Sequence, residues 1–374
     1  MRVFIDPFLS LKFRCWFFLS MIMLLFVHSY NLNLRYLQPF TIVNERITFN
    51  SFVQYFLSNG LFRFFIPILF SISGYLYAAQ DDRPYKVSIR KRFRSILIPY
   101  LIWSAIGLIF TYTIELSSYG REIVETTHLM ELSNHRILLH EYRWYELLAR
   151  WILLPVPYQL WFLRVLFIYN LAYPAIRWCV LRYTKVFFLV LILYWLSELQ
   201  FILFEGEGLL FFSLGIWVQK RNFNISNPNK WLNPVIWRFL FVLLAAVKTI
   251  LAFKGFKWMG NSVFPVLLLL HKMVVLSGFI SVWFSSDSLV KWCMEKVWFV
   301  WLSAFSFTIY GLHAPLVAYA INAIFPVFQG VYEYRLLTYI LLPTGLFIFC
   351  VSIGWLIRHI LPKFYVLASG GRGL

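Results

Sequence analysis

Residues 61–77 place polar and helix-breaking residues inside an apolar segment that is long enough to span a bilayer. The segment contains Arg63, Pro67 and a Ser-Gly-Tyr triplet at 73–75. An ionised side chain at membrane depth is costly, so it usually faces a polar interior or a partner. A helix that serves only as an anchor needs neither an arginine nor a proline. The segment therefore indicates a membrane protein with a functional interior.

Apolar segments of this kind recur along the whole chain. Of the 374 residues, 61% are hydrophobic and 13% are charged, against about 25% charged in a soluble domain. No sustained alternation of period two is present, so a β-barrel is not expected. We predict an all-α, polytopic transmembrane helix bundle with about ten spans, forming one domain over residues 1–374. The predicted spans are 14–31, 61–80, 95–116, 156–176, 186–204, 206–219, 235–253, 262–284, 298–324 and 336–358.

The distribution of charge orients this bundle. With both termini in the cytoplasm, the cytoplasmic side receives 21 Lys and Arg against 5 Asp and Glu, and the outer side receives 9 against 11. The other four basic residues, Arg63, Arg164, Lys248 and Lys272, lie inside predicted spans. This is the asymmetry that the positive-inside rule describes. Segment 117–150 is then the longest outer loop, with a helix predicted over 131–151. The net charge of +18 follows from topology and does not imply a nucleic-acid partner.

The same orientation predicts the depth of three polar residues. His28 lies about two-thirds along an outward-running helix, and Arg63 lies near the outer start of the next span, so we expect them at one level. Arg14 and His28 share a face of the first helix, because fourteen steps of about 100° return to within about 40°. Arg14 then lies at the cytoplasmic mouth and His28 lies deeper.

Five short motifs follow one another in the chain and carry a resemblance. The chain resembles the membrane acyltransferase 3 family, the bacterial integral-membrane O-acyltransferases that modify surface glycans. One departure is that thirteen residues separate Arg14 from His28, where the family usually has ten. The motifs are RFFIPILFSISGYL at 63–76, RKRFRSILIPY at 90–100 with Trp103, YQLWFL at 158–163, FSLGI at 212–216 and FTIYGLHAP at 307–315.

The resemblance implies transfer of an acyl group, with acetyl as the family's default, from cytoplasmic acyl-coenzyme A to a carbohydrate hydroxyl. A hydroxyl must lose its proton as it attacks a thioester, and a histidine suits that general-base role. By resemblance the base is His28. Arg63 is then the donor that stabilises the oxyanion or orients the carbonyl of the acyl donor.

The remaining site residues follow from the same resemblance. The phosphates of acyl-coenzyme A, the implied co-substrate, need a basic cytoplasmic mouth. Glycine at 74 permits close approach of a neighbouring helix or of the pantetheine arm. The predicted donor-binding residues are Arg14, Arg90, Arg92, Arg94, Ser73, Gly74 and Tyr75, and the further predicted site residues are Trp161, Tyr310 and His313.

Each assignment has a structural alternative. Arg63 is long enough to snorkel to the outer interface, and His313 can form a hydrogen bond between helices. The adjacent pair His271-Lys272 matches no motif and would line a water-filled cavity. Arg164 can pair with an outer acid such as Glu198. The spacings of His128, His135 and His140 are not a metal signature, so we expect no metal.

Two other classes of function remain open for this sequence. A transporter or flippase of a lipid-linked glycan would favour paired broken helices in two related halves, and no internal repeat is visible. A catalytically silent membrane scaffold is the third class. For the acyltransferase we expect a multi-pass protein of the bacterial inner membrane, with acyl-coenzyme A, a carbohydrate acceptor and the bilayer as partners.

Overall fold

The secondary structure is helical throughout the part of the chain that a computed structural model describes, which is residues 6–32, 37–127, 138–199, 201–226, 229–328, 330–331 and 333–372. No β-strand occurs in these ranges, so the predicted all-α fold class is confirmed. The first nine helices are α1 Pro7–His28, α2 Phe49–Tyr55, α3 Phe65–Ala78, α4 Tyr85–Arg92, α5 Ile98–Ile114, α6 Ser118–Thr127, α7 Trp144–Ile152, α8 Trp161–Leu171 and α9 Tyr173–Arg182. The others are α10 Thr184–Leu196, α11 Gly206–Lys220, α12 Pro234–Met259, α13 Val263–Ser285, α14 Asp287–Glu295, α15 Val297–Ser303, α16 Ser306–Phe328, α17 Tyr334–Ile360 and α18 Pro362–Ser369.

The number of spans is lower than the ten that the sequence predicted. Among the described residues, six helical stretches are long and apolar enough to cross a membrane, or seven if the bent pair α9–α10 counts as one span. One reason is that helices α8 to α11 have only 10 to 15 residues each, whereas a span needs about 20. The other is that the predicted spans 235–253 and 262–284 both lie in the one stretch Lys230–Ser285. The six stretches are Pro7–His28, Phe49–Ala78, Tyr85–Ile114, Lys230–Ser285, Ser306–Phe328 and Tyr334–Ile360.

The boundaries of the second stretch correct a prediction about Arg63. The predicted span began at residue 61, but the apolar helical stretch begins at Phe49. It continues through a π-helix over Phe56–Leu61 and a turn at 62–64 before α3 starts. The Phe62 amide bonds to the Leu57 carbonyl five residues back, at 2.9 Å. Arg63 therefore lies in the middle of a broken span and not at its outer start.

The segment 117–150, predicted as the longest outer loop, also differs from its prediction. A helix was expected over 131–151, but the structure has a short 3₁₀ turn at Leu139–Glu141 and then α7 over Trp144–Ile152. Residues 128–137, which include His128 and His135, lie outside the described part. The Glu146 carboxylate accepts from the Arg143 amide at 2.7 Å and so fixes the start of α7. Helix α6 was not predicted, because its polar sequence lacks an apolar run.

The chain divides into two compact units, residues 1–88 with 168–303 and residues 89–167 with 304–374. In the first unit, helices α3 and α11 approach closely through two glycines. A Cβ on Gly74 would clash with the Phe212 carbonyl, and one on Gly215 would clash with the Ser71 carbonyl. Small residues at such contacts let helix backbones pack where the lipid supplies no hydrophobic driving force.

The second unit is organised around Trp103 of α5. Its ring lies against Gly311, and its Nε1 donates to the Ala368 carbonyl at 2.9 Å. The same helix is held further along by a 3.0 Å hydrogen bond between the hydroxyls of Thr111 and Tyr319. These contacts join α5, α16 and α18 into one packed group.

Candidate active site

A cluster of polar residues surrounds the break in the second apolar stretch, inside the first unit. One turn apart, Asn59 and Arg63 both reach the loop that follows α1. Asn59 Nδ2 donates to the Gln38 carbonyl at 3.2 Å, and Arg63 Nη2 donates to the Leu37 carbonyl at 2.9 Å. Asn59 is fully buried, and among the described residues neither its Oδ1 nor Arg63 Nε has a hydrogen-bond partner. The break therefore turns polar groups inward.

Two residues from helices α12 and α13 complete this cluster. Lys248 is 0% exposed, and its ammonium donates to the Asn59 carbonyl at 2.6 Å and bonds to His271 Nδ1 at 2.9 Å. His271 is 5% exposed. The π-helix and the turn after it release the Asn59 carbonyl from the regular helical ladder, which is why a lysine can reach it. Arg63 lies within electrostatic range of both residues.

Acidic residues lie beside this cluster but are bound elsewhere. Lys272 forms an ion pair with Glu198. Glu207 accepts a hydrogen bond from Trp195 Nε1 at 3.0 Å. Glu205 caps α11 by accepting from the amides of Glu207 and Gly208, and burial raises the pKa of the Glu205 carboxyl. Arg164 itself donates to the Leu153 carbonyl within the second unit, and its pairing with an outer acid stays an open alternative.

His28 occupies the last turn of α1, where it is half-buried. The segment just after it is fixed to α2, since the Asn31 amide donates to Gln54 Oε1 at 3.1 Å. Just before it, the Phe26 carbonyl accepts from the Ser58 hydroxyl of the π-helix at 3.3 Å. The end of α1 thus packs along the same π-helix that leads to Arg63.

Arg14, the other polar residue predicted on this face, is bound at the end of α15. Its Nε donates to the Ser303 hydroxyl and its Nη2 donates to the Val300 carbonyl, both at 2.9 Å. Two of its donor groups are therefore engaged in holding α15 against α1.

The Ser73-Gly74-Tyr75 triplet divides into packing and cavity residues. The Ser73 hydroxyl donates to the Leu69 carbonyl at 2.8 Å within α3, and Gly74 faces the backbone of α11. Of the two predicted uses of Gly74, the structure shows the neighbouring helix. Tyr75 instead lines an apolar cavity of about 240 Å³. Phe13 and Trp283 line the same cavity, which lies among α1, α3, α11 and α13.

The other predicted residues belong to the second unit. Arg90 and Arg94 are exposed, and Arg92 is half-buried, along α4 and the π-helix Phe93–Leu97. Tyr310 and the segment before α8 are joined reciprocally: the Tyr310 hydroxyl donates to the Gln159 carbonyl at 2.6 Å, and Gln159 Nε2 donates back at 3.1 Å.

Helix α16 and the start of α8 carry the last two predicted residues. His313 is fully buried, and its Nδ1 donates to the Ile309 carbonyl at 3.0 Å. The next residue, Ala314, has non-helical backbone angles, so the histidine directly precedes a kink. Trp161 opens α8 and is half-buried, with its ring at 6.3 Å from that of Phe162.

Lys248 and Asn59 are members of the cluster that the sequence did not predict. Lys248 was recognised only as a basic residue inside a span, and His271 had no matching motif. The available signal was physical, because a lysine and a histidine in the middle of two consecutive apolar segments need polar partners. Within the described ranges, no group of three or more His, Cys, Asp or Glu is placed to hold a metal ion.

Comparisons with known proteins agree with this combination of apolar helices and buried polar groups. A family model described as an acyltransferase domain matches residues 18–359. The succinoglycan biosynthesis protein ExoH of Rhizobium meliloti (strain 1021) is 28% identical over 243 residues. That match covers 64% of this chain and 61% of the relative, so less than two thirds of the relative's length is involved. No solved structure matches significantly.

The family match extends over most of the chain and includes the described helices from within α1 to near the end of α17. The chain therefore belongs to the acyltransferase 3 family. Its apolar helices make it a multi-pass membrane protein of that family.

Proposed function

We propose that this protein transfers an acyl group, acetyl in the simplest case, from cytoplasmic acyl-coenzyme A to a hydroxyl of a cell-surface or lipid-linked carbohydrate. The match of the acyltransferase family model to residues 18–359 carries the proposal. The relative named for succinoglycan biosynthesis supports a carbohydrate acceptor. The protein acts in the bacterial inner membrane with both termini in the cytoplasm.

His28 acts as the general base in this proposal. The acceptor hydroxyl oxygen attacks the thioester carbonyl carbon, and His28 takes the hydroxyl proton as the new C–O bond forms. When the C–S bond breaks, the proton passes to the departing thiolate, so the products are an ester and coenzyme A. The position of His28 at the end of α1, along the π-helix that precedes Arg63, supports this role.

Arg63 supplies positive charge to the carbonyl of the acyl donor. Its Nη2 is fixed to the loop after α1, while its Nε is buried and has no hydrogen-bond partner in the part of the chain that the structure describes. A fixed guanidinium with an unused N–H in a buried setting suits a developing oxyanion, because such a donor needs no reorganisation during the reaction. Arg90, Arg92 and Arg94 contact the phosphates of acyl-coenzyme A, and the exposure of Arg90 and Arg94 in α4 and the following π-helix supports this.

Incubation of membranes that contain the protein with acetyl-labelled acetyl-coenzyme A tests the proposal. We expect label to appear as an alkali-labile ester on a glycan, and only when the protein is present. Movement of glycan across the membrane without incorporation of label would instead favour a transporter. Absence of both would favour a silent scaffold.

A further inference from the structure

The turn that follows α18 returns the chain to the π-helix Phe93–Leu97 of the second unit. Gly370 and Gly371 have φ values of 62° and 78°, in the left-handed region that favours glycine. A Cβ on Gly370 would also clash with the Ser95 carbonyl, so this close approach needs glycine. The turn places Arg372 against the π-helix, where its Nη1 donates to the Ser95 carbonyl at 2.7 Å.

The guanidinium of Arg372 is fixed in orientation but has one unused edge. Its Cζ lies 4.8 Å from the centroid of the Phe307 ring, and its Nη1 also donates to the Ser369 carbonyl at 3.3 Å. Both of its hydrogen bonds to described residues use Nη1, so Nε and Nη2 have none there. These two nitrogens form an edge along which arginine binds two oxygens of a phosphate. Arg372 is half-buried, so a ligand at the surface can approach it.

Positive charge gathers around Arg372, and the neighbouring sequence supplies no acid. Arg92 lies within electrostatic range of Arg372. Burial, and then the like charge of Arg92, lower the pKa of the Arg372 guanidinium to about 10, so it is charged at neutral pH. Residues 83–114 and 334–374 contain no Asp or Glu. A bound anion would relieve the repulsion between the two arginines, so the arrangement favours an anionic ligand.

Ser95 adds an unsatisfied polar group at the same place. Its Oγ is buried and has no hydrogen-bond partner among the described residues. Buried polar groups are usually satisfied by protein, by water or by an ion, so such a group calls for a partner. The unused donors of Ser95 and Arg372 thus belong to two residues that a hydrogen bond joins directly.

We propose that Arg372 is a further binding residue for the acyl donor, whose Nε and Nη2 hold a phosphate group of acyl-coenzyme A beside Arg92. The inference rests on the proposed function and deepens it, because that function already assigns Arg92 to these phosphates. The family model ends at residue 359, so Arg372 lies outside the part of the chain that it matches. Arg372 binds the head of the donor, far along the molecule from the thioester, and takes no part in the bond changes.

Kinetics of the purified Arg372→Gln variant in phosphatidylcholine nanodiscs test this assignment. The two donors are acetyl-coenzyme A and S-acetylpantetheine, which has no phosphate. Loss of charged hydrogen bonds to a phosphate should raise KM for acetyl-coenzyme A by about tenfold. We expect kcat to stay within about twofold, because the contact is the same in the ground state and the transition state. The kcat/KM for S-acetylpantetheine should not change.

Two further variants sharpen the test. Arg372→Lys should give an intermediate KM for acetyl-coenzyme A, because lysine keeps the charge but lacks the two-nitrogen edge. Lys363→Gln, at an exposed position of α18, is the matched control. It removes one positive charge from the same C-terminal segment, and KM should stay within about twofold because solvent screens an exposed charge.

An unchanged KM for acetyl-coenzyme A in Arg372→Gln would overturn the assignment, and so would an equal loss of kcat/KM with both donors. An effect that appears only when the nanodiscs contain phosphatidylglycerol would assign the phosphate to a lipid headgroup and also overturn it. Failure of both Arg372 variants to fold would show a structural role instead. A wild-type protein that transfers no acetyl group from acetyl-coenzyme A overturns the proposed function itself, which separates the two failures.

Discussion

At the residue scale, the π-helix and the turn after it convert an apolar segment into a polar centre. They place Arg63 in mid-span and free the Asn59 carbonyl for Lys248. π-Helical turns are frequent at functional sites, because they are retained only where the local geometry is useful. Two predictions belong to this scale.

Replacement of His28 by alanine should lower acyl transfer by at least about 10²-fold, since a positioned base contributes about 10²–10⁴. Membrane insertion should not change, because His28 is half-buried at a helix end. Turnover with labelled acetyl-coenzyme A and the yield of inserted protein measure the two effects. His359→Gln, at the end of α17, is the control. Near-normal activity without His28 would place the base elsewhere, with His313 tested next.

The Arg63→Lys variant should lose at least about tenfold in turnover at normal expression. Lysine keeps the charge but lacks the planar guanidinium, so it cannot hold the Leu37 carbonyl and also present a second fixed donor. A residue that only snorkels to the interface would tolerate lysine. Wild-type turnover in this variant would therefore show that the guanidinium takes no part in the chemistry.

At the element scale, glycines determine how closely helices α3 and α11 pack. The contact places Tyr75 beside an apolar cavity and leaves no room at residue 74. The second element is the basic segment formed by α4 and the following π-helix, which we propose binds the phosphates of acyl-coenzyme A. Each of these elements gives one prediction.

The Gly74→Ala substitution should destabilise the protein by about 1–3 kcal/mol, the usual cost of overpacking, because its Cβ meets the Phe212 carbonyl. Gly345→Ala in α17 is the matched control, since nothing lies within 4 Å of its Cβ. Alanine there should stabilise the helix by up to about 1 kcal/mol. Thermal unfolding in detergent measures both. Equal effects of the two substitutions would contradict the close approach of α3 and α11.

Replacement of Arg90, Arg92 and Arg94 by glutamine should weaken binding of acyl-coenzyme A by about 1–3 kcal/mol for each charged hydrogen bond lost. Calorimetric titration with a non-transferable analogue measures the affinity. Since these residues also contribute to the positive-inside signal, insertion must first be verified. Unchanged affinity in correctly inserted protein would limit the segment to its topological role.

At the scale of the whole molecule, the charge asymmetry predicts orientation. Cysteine introduced at Glu122 in α6 should react with an impermeant thiol reagent in intact cells, whereas cysteine at Lys86 in α4 should react only after permeabilisation. Both side chains are exposed in the structure, so access to the reagent differs only by the side of the membrane. The reverse pattern would overturn the orientation with cytoplasmic termini.

Much of the fold was predictable because few backbone conformations are stable in lipid. In the lipid core, backbone N–H and C=O groups must form hydrogen bonds within the protein. Long apolar segments therefore become helices. Helices α13 and α17 accordingly lie within two residues of the predicted spans 262–284 and 336–358. The predicted span containing Arg63 began too late, because the polar residues mixed into 49–60 concealed that these residues belong to the same helical stretch.

The sequence by itself determined the helical class, the family and the set of polar residues inside apolar segments, because these depend on composition and local order. Only the tertiary structure decided that Lys248 reaches the Asn59 carbonyl, 189 residues away, and that it bonds to His271. Such contacts depend on which helix faces meet and where one helix breaks. Packing of distant segments sets both, and no local pattern of residues encodes it.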